Sequence, residues 1–170
     1  MKTVVLGDPP EVLVSLLAER KRLGLDRHDE LWRGEYHMAP APTYEHAEGG
    51  GVIFALLGPL ACRAGLRASL EFNLGDPHDF SVPDLGFHRG RPSGAWIATA
   101  AIVVEVRSPN DESFERFDFY FGHGVEEILI ADLAMQTVHW FVRGSTSFVA
   151  AEASELLGIS SSDVAVALEW

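Results

Sequence analysis

The run Trp96 to Val106, WIATAAIVVEV, constrains the fold of this chain more than any other stretch. Ile97, Ala101 and Val103 fall on one parity and Ala100, Ile102 and Val104 on the other, so both faces of the strand it predicts are apolar. Such a strand is buried on both sides and lies centrally in its sheet. Glu105 stands near the end of this run, where every neighbour calls for burial. A carboxylate there has to be paired, protonated or bound to a metal. Arg107 is two residues on and hence on the same strand face. A structural ion pair of Glu105 with Arg107, or with another arginine, is therefore the plain alternative to a functional site.

Around that strand the pattern alternates between helix and strand. Asp8-Pro9-Pro10 followed by EVLVSLLAERKRLG reads as a capped helix ending at Gly24, with Val12, Leu16, Leu17 and Leu23 predicted to pack on the body. Its Arg20-Lys21-Arg22 cluster reads as a solvated helix end, favourable to the helix dipole. Glu30 to Met38 reads as one or two strands or turns. A second helical region runs from Thr43-Tyr44-Glu45-His46 to Arg63-Ala64-Gly65, weakened in its first turns by Gly49-Gly50-Gly51. Ala68 to Leu74 and Pro83 to His88 read as strands separated by the turn signal Gly75-Asp76-Pro77. After the break at Ser108-Pro109-Asn110, a helix is predicted from about Asp111 to Gly122 with Phe114, Phe117 and Phe121 as its apolar stripe. Glu127 to Asp132 is a buried strand, Thr137 to Val142 an outer one, and the tail from Ala151 to Trp170 a short helix or coil. Strands interleaved with helices in this order predict one α/β domain with a mixed sheet.

Composition narrows the function. The chain has 170 residues with 25 acids against 13 bases, a formal charge of −12. Nucleic-acid affinity comes largely from phosphate neutralisation by Lys and Arg, so binding to nucleic acid requires a local concentration of positive charge. Arg89, Arg91, Arg107 and Arg116 are the candidates for such a strip, and only Lys2 and Lys21 are lysines. A single cysteine, Cys62, excludes an internal disulfide framework, and no cysteine or histidine pairs have zinc-binding spacing. The glycine run is not followed by Lys-Ser/Thr and so is not a phosphate-binding loop. The longest apolar stretch, Gly51 to Cys62, is too short to span a bilayer, which predicts a soluble cytoplasmic protein without membrane contact.

Asp84, after Pro83 at the start of a strand, gives Glu105 a second carboxylate. Both lie roughly ten residues from Gly94, so an antiparallel pairing turned near Gly94 sets them nearly opposite. Two carboxylates on adjacent strands suit a hard divalent cation.

On these residues the sequence resembles the PD-(D/E)XK nuclease superfamily, and more closely its Uma-two (restriction endonuclease-like) branch. The likeness rests on Pro83-Asp84, on Val103 to Asp111, on Arg116-Phe117-Asp118-Phe119-Tyr120, and on Gly124 to Asp132. Upstream it includes Glu30 to Glu35 and Pro40-Ala41-Pro42 before His46, so it spans about residues 28 to 170 and leaves 1–27 as an N-terminal helical extension of a single restriction-endonuclease-like domain. The resemblance implies a helix-strand-strand-strand-helix-strand core with its central mixed sheet flanked by helices. It implies Mg²⁺ or Mn²⁺ on Asp84, Glu105 and the Val106 carbonyl, hydrolysis of DNA phosphodiesters, and Tyr120 steadying the site. It places His46 in the helix where relatives carry a further acid, with Glu45 and Glu35 as rival candidates.

The family's lysine is expected two residues after the second acid or four before the tyrosine, and these positions hold Arg107 and Arg116. Arginine keeps the charge but does not release a proton near neutral pH, so it does not serve as a general base. Two functions follow: a metal-dependent deoxyribonuclease, with a homodimer implied by resemblance to enzymes that cut both strands, or a catalytically degenerate relative acting as a protein-binding or oligomerisation module, with the outer strand Thr137 to Val142 as the candidate surface.

Overall fold

The computed structural model describes residues 3–6, 11–108 and 113–170. Asp8-Pro9-Pro10, Pro109-Asn110 and Asp111, assigned above to a helix cap, a chain break and a helix start, lie outside the described residues. In chain order the elements are β1 (Thr3–Leu6), α1 (Glu11–Leu23), β2 (Glu30–Trp32), β3 (Glu35–Met38), α2 (Tyr44–Arg63), β4 (Leu66–Leu70), β5 (Asn73–Asp76), β6 (Asp79–Ser81), β7 (Leu85–Arg89), β8 (Trp96–Ile97), β9 (Ile102–Arg107), a 3-10 turn over Ser113–Arg116, α3 (Phe117–Gly122), β10 (Glu127–Asp132), β11 (Thr137–Arg143), β12 (Phe148–Ala151) and α4 (Ser161–Ala167).

The strands form two mixed sheets, ordered β1-β3-β2-β6-β5-β8 and β12-β11-β10-β9-β7-β4. The second contains the expected core: α2, the antiparallel strands β4, β7 and β9, then α3 and β10, with β10 parallel to β9. Strands β5 and β6 leave this core between β4 and β7, and β8 leaves it between β7 and β9, to build the other sheet.

Strand β9 is central, between β7 and β10, and buried along five of its six residues. One face of it, Ile102, Val104 and Val106, packs with Ile53, Leu57 and Ala61 of α2. The other, with Val103, meets Phe119 and Tyr120 of α3 and Trp32 and Leu74 of the first sheet. Gly49 explains how α2 lies so close: a Cβ there would stand 3.2 Å from Leu133 Cδ2 and 3.6 Å from Val106 Cγ1. The glycine run therefore costs helix propensity and admits close packing, and α2 runs unbroken through it.

Several expectations are corrected. Trp96 to Val106 is two strands rather than one. Trp96-Ile97 pairs with β5 of the first sheet, while the Ala101 N–H donates to the Phe87 carbonyl at 2.8 Å to start β9 in the second. Ala68 to Leu74 likewise divides at Glu71, whose φ of 24° turns the chain from β4 toward β5. Helix α1 leaves Leu16 and Leu23 about half exposed instead of burying them. It is held at its C-terminal end, where Arg20 donates to both Asp29 oxygens at 2.6 and 3.0 Å and to the Leu25 carbonyl. In α3 the residues facing inward are Phe119 and Tyr120, with Arg116 of the preceding turn. The Phe117 and Phe121 stripe packs instead on Phe141 and Phe148, and Phe114 remains 42% exposed. Finally, β11 is not the outer strand, because β12 pairs along it. Among the described residues no helix is long and apolar enough to cross a membrane.

Candidate functional site

The β7–β9 register is Leu85 opposite Val104, Gly86 opposite Val103 and Phe87 opposite Ile102. One further step along both strands sets Asp84 opposite Glu105. The pairing inferred from the turn near Gly94 is thus realised, even though β8 makes an excursion between the two strands.

The two carboxylates have different surroundings. Asp84 is at the rim, with a side chain 24% exposed. Its Oδ2 accepts the Val106 N–H at 2.7 Å and its Oδ1 lies 2.8 Å from His46 Nε2. An ionised carboxylate only accepts, so the ring proton is assigned to Nε2. His46 Nδ1 lies 3.1 Å from the Ser108 hydroxyl. His46 lies in the first turn of α2, whose start is fixed by the Thr43 hydroxyl accepting the His46 backbone N–H.

Glu105 lies deeper, with a side chain 5% exposed. Its Oε1 accepts from Arg116 Nη1 at 2.9 Å and from the Tyr120 hydroxyl. Burial and the neighbouring Glu105 charge hold the Tyr120 phenol well above its usual pKa, so it stays a donor. Arg116 Nη2 reaches a second buried carboxylate, Glu30 of β2, at 3.2 Å. Glu30 also accepts from Ser81 Oγ at 2.7 Å and the Val82 N–H at 2.9 Å. A chain of charge-assisted hydrogen bonds therefore runs from the first sheet, through the turn before α3, to the second acid.

The other sequence candidates are placed elsewhere. Arg107 does not pair with Glu105; its Nη1 donates to Asp132 of β10 at 2.6 Å, and its guanidinium lies 5.0 Å from the Phe114 ring. Glu35 sits in the β2–β3 hairpin opposite Trp32, 3.9 Å from His37. Glu45 is exposed in the first turn of α2, where hydrogen bonds from its own backbone N–H and Thr43 hold its pKa down. Neither is joined by a described contact to Asp84 or Glu105. Arg89 is paired with Glu126 through two 2.7 Å bonds, so three of the four arginines considered for a basic strip are already matched to carboxylates. A cavity of about 340 Å³, lined by His88, Arg91, Thr99 and Gly124 among others, opens at the opposite end of β7 and β9. Of the sequence candidates only Arg89 and Arg91, considered for a basic strip, line it.

Glu30 is the residue that sequence reasoning passed over. Its signals were a place in the Glu30 to Glu35 segment of the resemblance, with no role attached, and alternation with Trp32 in a three-residue strand, too short to reveal which face is buried.

Three carboxylates, Asp84, Glu105 and Glu30, stand against one guanidinium and one imidazole, so acidic groups outnumber basic ones here. Among the described residues no three His, Cys, Asp or Glu side chains form a ready metal cage. Mg²⁺ commonly uses one or two carboxylates and keeps its waters, so an all-oxygen pair of carboxylates with this charge fits such an ion.

The chain's likeness to known proteins accords with this arrangement. A family model described as "Uma2: Putative restriction endonuclease" matches residues 18–168. Among solved structures, a putative nuclease belonging to DUF820 from Anabaena variabilis superposes with a TM-score of 0.61 at 18% identity, covering 82% of this chain and 90% of that one. At that identity the likeness is one of fold. No curated protein matches the chain. With a match over nearly its whole length and the helix-strand-strand-strand-helix-strand core in place, the chain belongs to the Uma2 family.

Proposed function

We propose that this protein is a divalent-metal-dependent nuclease that hydrolyses DNA phosphodiester bonds, with Asp84, Glu105 and the Val106 carbonyl as the oxygen ligands. The observation that supports this reading is the antiparallel β7–β9 register, which ends with Leu85 across from Val104, so that Asp84 and Glu105 are the next residues on the two strands, together with the Val106 N–H donating to Asp84. When bound, Mg²⁺ or Mn²⁺ supplies Lewis-acid polarisation of the phosphate and a more acidic water.

The protein's own residues aim the ligands and hold charge. The Val106 N–H and His46 fix the Asp84 carboxylate at the rim, where a substrate phosphate arrives. Tyr120 and Arg116 fix Glu105. Arg116 keeps its proton, so it stabilises negative charge and orients its neighbours but takes no proton from water. The scheme assigns no role to Arg107 or Glu35, whose described contacts include Asp132 and His37 respectively.

The test is a Mn²⁺ and Mg²⁺ titration of thermal stability together with cleavage of supercoiled plasmid, for wild type and Glu105→Ala. A ligand that binds only the folded state at a hundred times its Kd stabilises by about 2.7 kcal/mol. Arg116 keeps Glu30 as a partner in this variant, so the fold should persist. The expected result is a metal response and cleavage in wild type and neither in the variant. A Glu105→Ala protein that cleaves like wild type overturns the reading.

A further inference from the structure

We propose that Glu30 is a positioning residue of this site: it holds one end of the Arg116 guanidinium, sharing that charge with Glu105, and so leaves Glu105 enough negative charge to bind a divalent cation. The inference rests on the metal-site reading above and names how the site is tuned.

The two carboxylates lie on different sheets, and the guanidinium bridges them, Nη1 to Glu105 at 2.9 Å and Nη2 to Glu30 at 3.2 Å. All three side chains are more than nine-tenths buried. In so dry a place Coulomb interactions are strong, and a guanidinium belonging to Glu105 alone would cancel the charge a metal needs. Planar arginine can satisfy two acceptors at once with separate N–H groups, which the point charge of lysine does less specifically. Glu30 is itself rigidly placed, because Ser81 Oγ and the Val82 N–H both donate to its Oε1, while its Oε2 accepts the Trp32 indole N–H at 3.4 Å and faces Arg116. Removing its charge has two effects of the same sign. Arg116 turns wholly to Glu105, and one negative charge is lost beside the cation.

The experiment compares wild type, Glu30→Gln, Glu30→Asp and, as a control that removes a hydrogen bond to a different buried glutamate, Ser154→Ala. Two quantities are read: Mn²⁺ affinity by electron paramagnetic resonance, and rotation of the Arg116 guanidinium by NMR of its N–H protons. In wild type the Arg116 protons should be separately resolved, because both ends are held. In Glu30→Gln they should merge or shift, and Mn²⁺ should bind about tenfold more weakly or worse. Glu30→Asp, which keeps the charge one methylene back, should recover part of both losses, and Ser154→Ala neither loss. If Glu30→Gln fails to fold, Glu30→Asp carries the test, with an affinity below wild type expected.

Unchanged guanidinium signals in Glu30→Gln overturn the inference whatever the metal does. Altered signals with wild-type Mn²⁺ affinity overturn it too, since Glu30 would then serve the fold alone. Resolved guanidinium signals in a wild type that binds no Mn²⁺ overturn the metal-site reading itself, and the tuning role falls with it. The two failures are therefore distinguishable.

Discussion

Glu30, Glu105 and Glu127 are all buried, and their neighbours treat them differently. Glu30 and Glu105 share a guanidinium. Glu127 at the start of β10 has only uncharged donors near its oxygens, Ser154 Oγ at 2.5 Å and the Leu156 N–H at 2.8 Å. Burial therefore dominates and raises its pKa above the ordinary carboxylate value. Between the unfolded value, about 4.3, and the raised folded value, the folded protein holds a proton that the unfolded chain has lost. Stability contributed by this group is complete below the unfolded pKa and declines as pH rises through the folded one. Glu127→Gln should remove that slope, so urea unfolding from pH 4 to 7 should show the variant gaining on wild type as pH rises. A constant difference across the range would mean that Glu127 is not the group responsible.

At the scale of elements, β7 is set by a glycine. A Cβ on Gly86 would run into the Phe72 ring, well inside van der Waals contact, and would come within 2.9 Å of His88 Nε2. The Phe72 ring also packs edge-on against His88, 4.7 Å between centroids, so it has little room to retreat. Gly86→Ala should cost about 1–3 kcal/mol by overpacking, measured by denaturant unfolding, although Ala otherwise favours a strand more than Gly does. A neutral substitution would show that Phe72 moves freely. This also marks what was legible in the sequence. The αβββαβ order, the Thr43 cap of α2 and the buried strand around Glu105 follow from periodicity and turn residues, because each is determined by its own few neighbours. The division of Trp96 to Val106 between two sheets is not local. Trp96 leaves for the first sheet because Phe80 receives its ring, 4.7 Å away, and that contact has no mark in the run itself. The same holds for the site. Glu105 declared its burial through Val103, Val104 and Val106, whereas the pairing of Arg116 with Glu30, and of Arg107 with Asp132, depends on elements far apart in the chain.

The whole molecule carries a formal charge of −12, and the arginines at the site's end of the sheet, Arg107 and Arg116, are matched with Asp132, Glu105 and Glu30. Few phosphates can be neutralised by a surface of this kind. DNA affinity should accordingly fall with salt only gently, with a log–log slope no steeper than about −3, against about −0.9 per phosphate contact for duplex DNA. Fluorescence anisotropy of a short labelled duplex from 50 to 300 mM salt, with Ca²⁺ in place of Mg²⁺, measures it. A slope near that of strongly basic binders would point to a cationic surface assembled by a second subunit. The bridge from Glu30 to Arg116 has a further consequence, for the order in which the molecule folds. Asp84 and Glu105 are neighbours within one sheet, and Tyr120 joins Glu105 across 15 residues of sequence, but Arg116 meets Glu30 of the other sheet across 86. Contacts of long sequence separation form late, since their loop closure has to be met before they contribute. Arg116 can reach Glu30 only when the two sheets are docked, so the shared charge at Glu105 is expected to depend on both sheets being in place.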